Sequence, residues 1–380
     1  MQRLLALLVL LASTACLAAV HGPRYLLTND DVVYGRNSVT FYQIGGMDAS
    51  PTLTRVAVVE TGGMGLGGGP PTASAIVVDG AGACAYAADS GSSDVAAIDI
   101  ATKTVVGKFR GSWQDSGGFK GVGLAMNEKY LYASYTGNYS LATYEIGPGC
   151  QLTWIKSQPI IGQNLGMVSG LAANDKMLVV TYGDGSIESY DVSDGVPKSN
   201  GDRQLSTGTQ TLLTYPFGII LTRDGHYAIF GDSSSHGVIE VADISGGSLA
   251  PATVYKFWRG MNSVNIHLSP DEKMLYVSNN GTGTVSALYF DNRTGKVFPG
   301  CISNSLQGWN DRWFYDIDVV PNRAFDSGGS LFVAEYGWNG SIAMVNVAIS
   351  GHNCSLTEVT GSPVKDPESQ SLRSLAVAGQ

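Results

Sequence analysis

Leu268-Ser-Pro-Asp-Glu-Lys-Met-Leu-Tyr-Val-Ser-Asn-Asn280, followed by Gly283-Thr-Val-Ser286, is the stretch on which the fold turns. It reads as the end of one strand, a turn opened by proline, a second strand, and a glycine-bearing turn into a third. On either side Val264, Ile266 and Leu268, then Val285, Ala287 and Tyr289, alternate with the two-residue period of strands packed between sheets. The second-strand phrase centred on Tyr276 recurs at Leu26, Tyr86, Tyr132, Val179, Tyr227 and Phe332. Successive intervals are 60, then 46, 47, 48 and 49, then 56 residues. A strand-type unit recurring at this spacing is what the blades of a β-propeller produce. A lone four-stranded blade cannot bury both faces, so neighbours must cover it and the ring must close. The expected fold is all-β, a seven-bladed propeller of four-stranded blades.

The two ends are out of phase with the repeat. Arg24-Tyr-Leu-Leu-Thr-Asn29 is a second strand with no first strand before it, and Ser371–Ala378 is a strand left over after the seventh unit. The carboxyl-terminal strand is therefore expected to complete the first blade, which would leave no open sheet edge.

Glycine is the commonest residue at 49, and charged residues make up only 14% of the 380, a mixture suited to short strands and tight turns. A net charge of −9 without any Lys/Arg cluster excludes a phosphate-tracking groove, so no nucleic-acid partner is expected. Arg3, the apolar run Leu4–Ala12 and the small residues Ala15, Ala18 and Ala19 read as an export signal over 1–19, leaving 20–380 for the propeller. No other segment is long and apolar enough to span a bilayer. A secreted monomer is expected, whether extracellular, periplasmic or at the cell surface. Signal removal leaves Cys84, Cys150, Cys301 and Cys354, which allow three pairings. Their places in adjacent blades favour Cys84 with Cys150 and Cys301 with Cys354; buried free thiols are the alternative. Sequons at Asn138, Asn280, Asn292, Asn339 and Asn353 hint at glycosylation.

The stretch quoted at the outset resembles the blade signature of YVTN-type surface repeat proteins and of the seven-bladed lactonase group. That group includes phosphogluconolactonases and fungal carboxymuconate cyclases. The resemblance covers most of the chain as architecture, and fold alone does not carry function. Such lactonases carry Pro-Arg-His at the start of a first strand and Asn-Glu at the end of the next second strand. Here the sixth unit has Ser263-Val264-Asn265 and Asn279-Asn280 instead, with His267 two residues further along. In the seventh unit Glu335 ends the second strand, but Asp316-Ile317-Asp318 precedes it.

In a propeller the connections into each first strand, and those between second and third strands, share one face. Those loops hold Trp113, Trp258, Trp309, Trp313 and Trp338, five of the six tryptophans. Asp232, His236, Asp311 and Tyr336 accompany them as candidate ligand-binding residues. Arg259 and Arg312 are candidates to clamp a carboxylate, with Glu335 and His267 as candidate proton carriers. Two functions follow. One is a binding protein that takes a glycan, a small carboxylated molecule or a protein on the tryptophan-rich face. The alternative is a lactonase or cycloisomerase acting on a small carboxylated lactone in the channel. Gly63-x-Gly65-x-x-Gly68 matches a dinucleotide fingerprint, but Pro70-Pro71 and a strand follow where that site needs a helix. It reads as a flexible inter-blade loop. Scattered histidines argue against a metal site, and no cofactor is expected.

Overall fold

The computed structural model describes residues 23–46, 50–67, 74–112, 121–160, 168–205, 216–232, 237–257, 263–307, 313–321, 329–336, 340–369, 372 and 374–379. They form seven antiparallel sheets arranged as blades around a channel. Blade six is the plainest: Ser263–Leu268, Met274–Asn279, Thr284–Asp291 and Lys296–Ile302 follow one another from the channel outward. Its turn at Ser269–Lys273 closes with the Glu272 amide donating to the Ser269 carbonyl (2.8 Å). Blades two, three and five repeat this order, while in blades four and seven the outermost position is split between two short strands.

Blade one is assembled from both ends of the chain. Ser374–Ala378 is its first strand and pairs antiparallel with the second, Tyr25–Asn29, from Asn29 opposite Ser374 to Tyr25 opposite Ala378. Arg36–Gly45 and the 13-residue Thr52–Met64 complete it. Closure by the carboxyl-terminal strand is thus as expected.

The alternation read from the sequence becomes seven apolar clusters, one in each seam between blades. Along Cys84–Asp89, Ala85 and Ala87 face blade one with Leu27, Val39, Phe41 and Ile98. Tyr86 and Ala88 point the other way, into the seam with blade three, against Leu124, Leu131 and Tyr135. The closing seam has a full cluster of its own, in which Leu26, Leu375 and Val377 pack against Phe332, Ile342 and Met344. Each such side chain, fully buried, contributes roughly 1.5–3 kcal/mol.

Both expected disulfides form, and each joins neighbouring blades. Cys84–Cys150 spans blades two and three (Cα–Cα 5.5 Å), and Cys301–Cys354 spans blades six and seven (5.6 Å). Among the described residues no helix is long and apolar enough to cross a membrane.

One detail of the repeat frame shifts. In blade five Ile229, not Tyr227, stands three residues before the strand's end, as Tyr276 does before Asn279. The slip is two residues, so the side-chain face is unchanged.

Candidate functional site

In every blade the second strand ends on the face where the first strand begins, here called the upper face. In blade six Asn279 lies opposite Ser263. The equivalent end positions are Asn29, Asp89, Tyr135, Tyr182, Asp232, Asn279 and Glu335, and all seven are buried. The hydrogen bonds made at this register come from the same or the adjoining blade. Asn29 donates to the Ala75 and Ala88 carbonyls (both 2.9 Å) and accepts from Asn37 (2.9 Å). Asp89 accepts from Asn37 (2.8 Å) and Thr61 (2.7 Å), both in blade one. Asn279 donates to Ser286 (2.8 Å). Tyr182 and Tyr190 both donate to the buried Glu188, and Glu335 accepts from Ser341.

Burial pushes Asp89 up to about 8, although the Thr61 and Asn37 hydrogen bonds pull the other way; Asp94 raises it further. Its carboxyl explains Gly63: a Cβ there would stand 2.1 Å from Asp89 Oδ2. The glycine motif is therefore a close-approach device. Its described part is also tied down, since the amide of Gly65 donates to Gly35 (3.0 Å) and that of Leu66 to the Asp31 carboxylate (2.8 Å). That replaces the flexible loop expected over residues 63–67; Gly68 lies outside the described residues.

The first strands divide the ring into two arcs. In blades four to seven each has a register shift at its upper end: Val168/Gly170, Pro216/Ile219, Ser263/Asn265 and Phe314/Ile317. In blades one to three the first strands pair without a shift. Bulges re-aim side chains and concentrate at barrel rims and active sites. At Gly218 the backbone of the next first strand passes so close that a Cβ would meet Asn265 Cα at 2.6 Å.

Asp232, Glu335 and the backbone of Trp313 and Tyr336, which pair with each other, lie on the bulged arc. Trp113, His236, Trp258, Arg259, Trp309, Asp311, Arg312 and Trp338 lie outside the described residues, as does the sequon at Asn339. The residues that bracket them, such as Phe257 with Ser263 and Glu335 with Gly340, stand at the upper end. His267 does not join this group. It pairs with Tyr276, four residues down its strand from Ser263, about 13 Å away. There it lines a cavity of about 290 Å³ at the lower channel mouth, with Arg223 and Glu272. Asp184, by contrast, is half of an internal pair with Arg203 (3.1 Å). Asn292 and Asn353 are exposed, while Asn138 and Asn280 are half-buried.

Among the described residues no group of acidic, His or Cys side chains is arranged to hold a metal. Sequence reasoning missed Ser341, Asp366 and the polar ring as a whole. Aligning the seven strand ends would have revealed the ring; no local signal marks the other two.

The sequence pattern of the family described as "Lactonase, 7-bladed beta-propeller" matches residues 122–297, from the first strand of blade three to the fourth of blade six. The periplasmic gluconolactonase of Pseudomonas aeruginosa superposes with a TM-score of 0.67 at 13% identity, over 94% of this chain and 99% of that one. A proposed 6-phosphogluconolactonase from Bacteroides fragilis gives 0.66 at 13% identity, over 95% and 99%. A protein from Lactobacillus plantarum gives 0.64 at 18% identity, over 93% and 99%. No curated protein sequence matches the chain. In fold the protein is thus a seven-bladed propeller similar to those of the lactonase group.

Proposed function

We propose that the protein is an exported lactonase that opens a small carboxylated lactone at the upper rim of the channel, on the bulged arc. The observation that carries this reading is Glu335. It is fully buried, stands one residue before the end of the second strand, near where the resembled lactonases carry their Glu, and has the Ser341 hydroxyl to orient one oxygen. In this role Glu335 takes a proton from water as the water oxygen bonds to the lactone carbonyl carbon. The ring C–O bond then breaks, and the proton passes to the departing alkoxide, giving a hydroxy acid. Arg259 and Arg312 are assigned to the substrate carboxylate and the developing oxyanion. Family pattern and superposition favour this reading over a glycan- or protein-binding surface, for which no observation speaks. Ala334 and Asp316-Ile317-Asp318 depart from the lactonase Asn and Arg-His, so the substrate-binding residues differ from the pattern even if the base is kept.

The two inter-blade disulfides support export, with residues 1–19 removed as signal. Amino-terminal sequencing of secreted protein tests that part. For the activity, a panel of aldonic and carboxylated lactones is assayed with wild type and Glu335→Gln. The variant should lose on the order of 10²–10⁴-fold in turnover while melting like wild type. No lactone opened by the wild type, or equal turnover by the variant, overturns the reading.

A further inference from the structure

Beside the closing seam, two buried carboxyl groups meet across one hydroxyl. Thr28 Oγ1 is 2.9 Å from Asp30 Oδ1 and 2.9 Å from Asp366 Oδ2. All three residues are fully buried. A threonine hydroxyl has one hydrogen and can donate to only one of these oxygens. With both carboxyls ionised, the other oxygen would face the hydroxyl's lone pairs at hydrogen-bond distance, in a region of low dielectric. One added proton resolves this: a protonated carboxyl donates to Thr28, and Thr28 donates to the carboxylate. The second oxygen of Asp30 already accepts from Ser38 (2.5 Å) and Thr40 (2.9 Å). The charged and titratable groups nearby are Tyr42, which lies against Asp366, and Arg55, which is half-exposed and occupied by Glu368 at 2.7 Å.

The pair also touches the proposed catalytic blade. The Asp366 amide donates to the Gly340 carbonyl (2.8 Å), and the Gly340 amide donates to Ser369 (3.0 Å), whose hydroxyl reaches the Asp30 carbonyl (3.0 Å). Gly340 directly precedes Ser341, the donor to Glu335. We propose that Asp30 and Asp366 share one proton through Thr28, and that this proton fastens the ring closure and positions the Gly340–Ser341 turn beside Glu335. Asp30 and Asp366 are positioning residues. The link to catalysis rests on the lactonase reading; the shared proton does not. Burial and the neighbouring carboxylate both raise Asp30, to about 8, in keeping with a proton held near neutrality.

The test compares wild type, Asp30→Asn and Asp366→Asn between pH 5 and 8. An amide supplies the missing donor without a titrating proton, so each variant should fold. In each, the fall of Tm with rising pH should weaken by the contribution of about one proton per chain. Unchanged slopes in both variants overturn the shared proton. Infrared spectra of unaltered seam residues give a second readout: in Asp89→Asn protein at pH 6 a protonated-carboxyl band should remain, be lost in the added Asp366→Asn change, and its absence from the start counts against the proposal. For the link to Glu335, the alkaline limb of lactone turnover should move to higher pH in Asp366→Asn. An unmoved limb with a weakened Tm slope leaves the fastening and removes the positioning role. A chain that opens no lactone but shows the slope change fails as a lactonase while keeping its proton.

Discussion

Blade one and blade six share four strands and one topology but are built differently. Blade six is a single run, and its first pairing, Ser263 with Asn279, closes over 16 residues. The corresponding pairing in blade one, Asn29 with Ser374, is 345 residues apart. On the logarithmic scaling of loop closure, that difference costs about 3 kcal/mol. The polar groups at the two seams differ accordingly. Blade six uses amides and hydroxyls, with Asn279 donating to Ser286 and Ser278 donating to the Asn265 carbonyl. Blade one adds buried carboxyls, Asp30 and Asp366 on one flank and Asp89 on the other, each accepting several hydroxyl or amide donors. At about 1 kcal/mol net per hydrogen bond, a few such contacts are enough to offset the longer closure. Where chain connectivity does not hold a blade together, buried carboxyls and their donors do.

The comparison breaks most completely when blade one loses its first strand. Removing residues 371–380 takes Leu372, Leu375, Ala376, Val377 and Ala378 out of two seams and exposes Leu26 and Leu27. At roughly 1.5–3 kcal/mol for each large aliphatic group, the loss consumes most of a typical domain's stability. The truncated chain should show no cooperative thermal transition and little secretion; a melt like that of wild type would mean the strand is dispensable. Next in size, Cys84→Ser with Cys150→Ser removes a tie between blades two and three that encloses 66 residues. A loss of about 2–5 kcal/mol is expected by denaturant titration. Smaller still is Gly63→Ala, which sets a methyl group against the Asp89 carboxyl and should cost about 1–3 kcal/mol in the same measurement.

The ring was legible because its rule is local. Tyr276, Tyr132 and Tyr86 each announce a strand whose neighbours alternate, and seven such phrases leave few other ways to bury them. Even the out-of-phase ends could be read, since Arg24–Asn29 lacks a first strand and Ser371–Ala378 lacks a blade. The Cys pairings followed from the same frame. The site was legible only where it shares that frame: Asp232 ends its second strand, Glu335 stands one residue before the end of its own, and these positions line up. His267 shows the limit, because strand parity places it on the right face but not at the right height. Thr28, Asp30 and Asp366 were beyond reach for another reason. Their meeting depends on how the ring closes in three dimensions, and nothing around Asp366 in sequence distinguishes it from a turn aspartate.

The variant with the smallest expected effect at acid pH sharpens the comparison most. Asp89 and Asn279 occupy the same register in blades two and six, so Asp89→Asn gives the blade-one seam the chemistry of blade six. The amide keeps an oxygen for Asn37 and Thr61 and turns its nitrogen toward Asp94, where a protonated carboxyl would also donate. In the unfolded chain an aspartate has a pKa near 3.9, while burial holds Asp89 at about 8 in the fold. Between those values the folded state carries a proton that the unfolded state lacks. The stability it contributes is therefore full below about pH 4, falls at up to about 1.4 kcal/mol per pH unit as pH rises, and is gone above about pH 8. Asp89→Asn carries no such proton. At pH 4 its Tm should match wild type within a degree or two, and it should overtake wild type steadily toward pH 8. Parallel Tm curves for the two proteins would mean that Asp89 is ionised in the fold, and that blade one's seam is held by charge rather than by a retained proton.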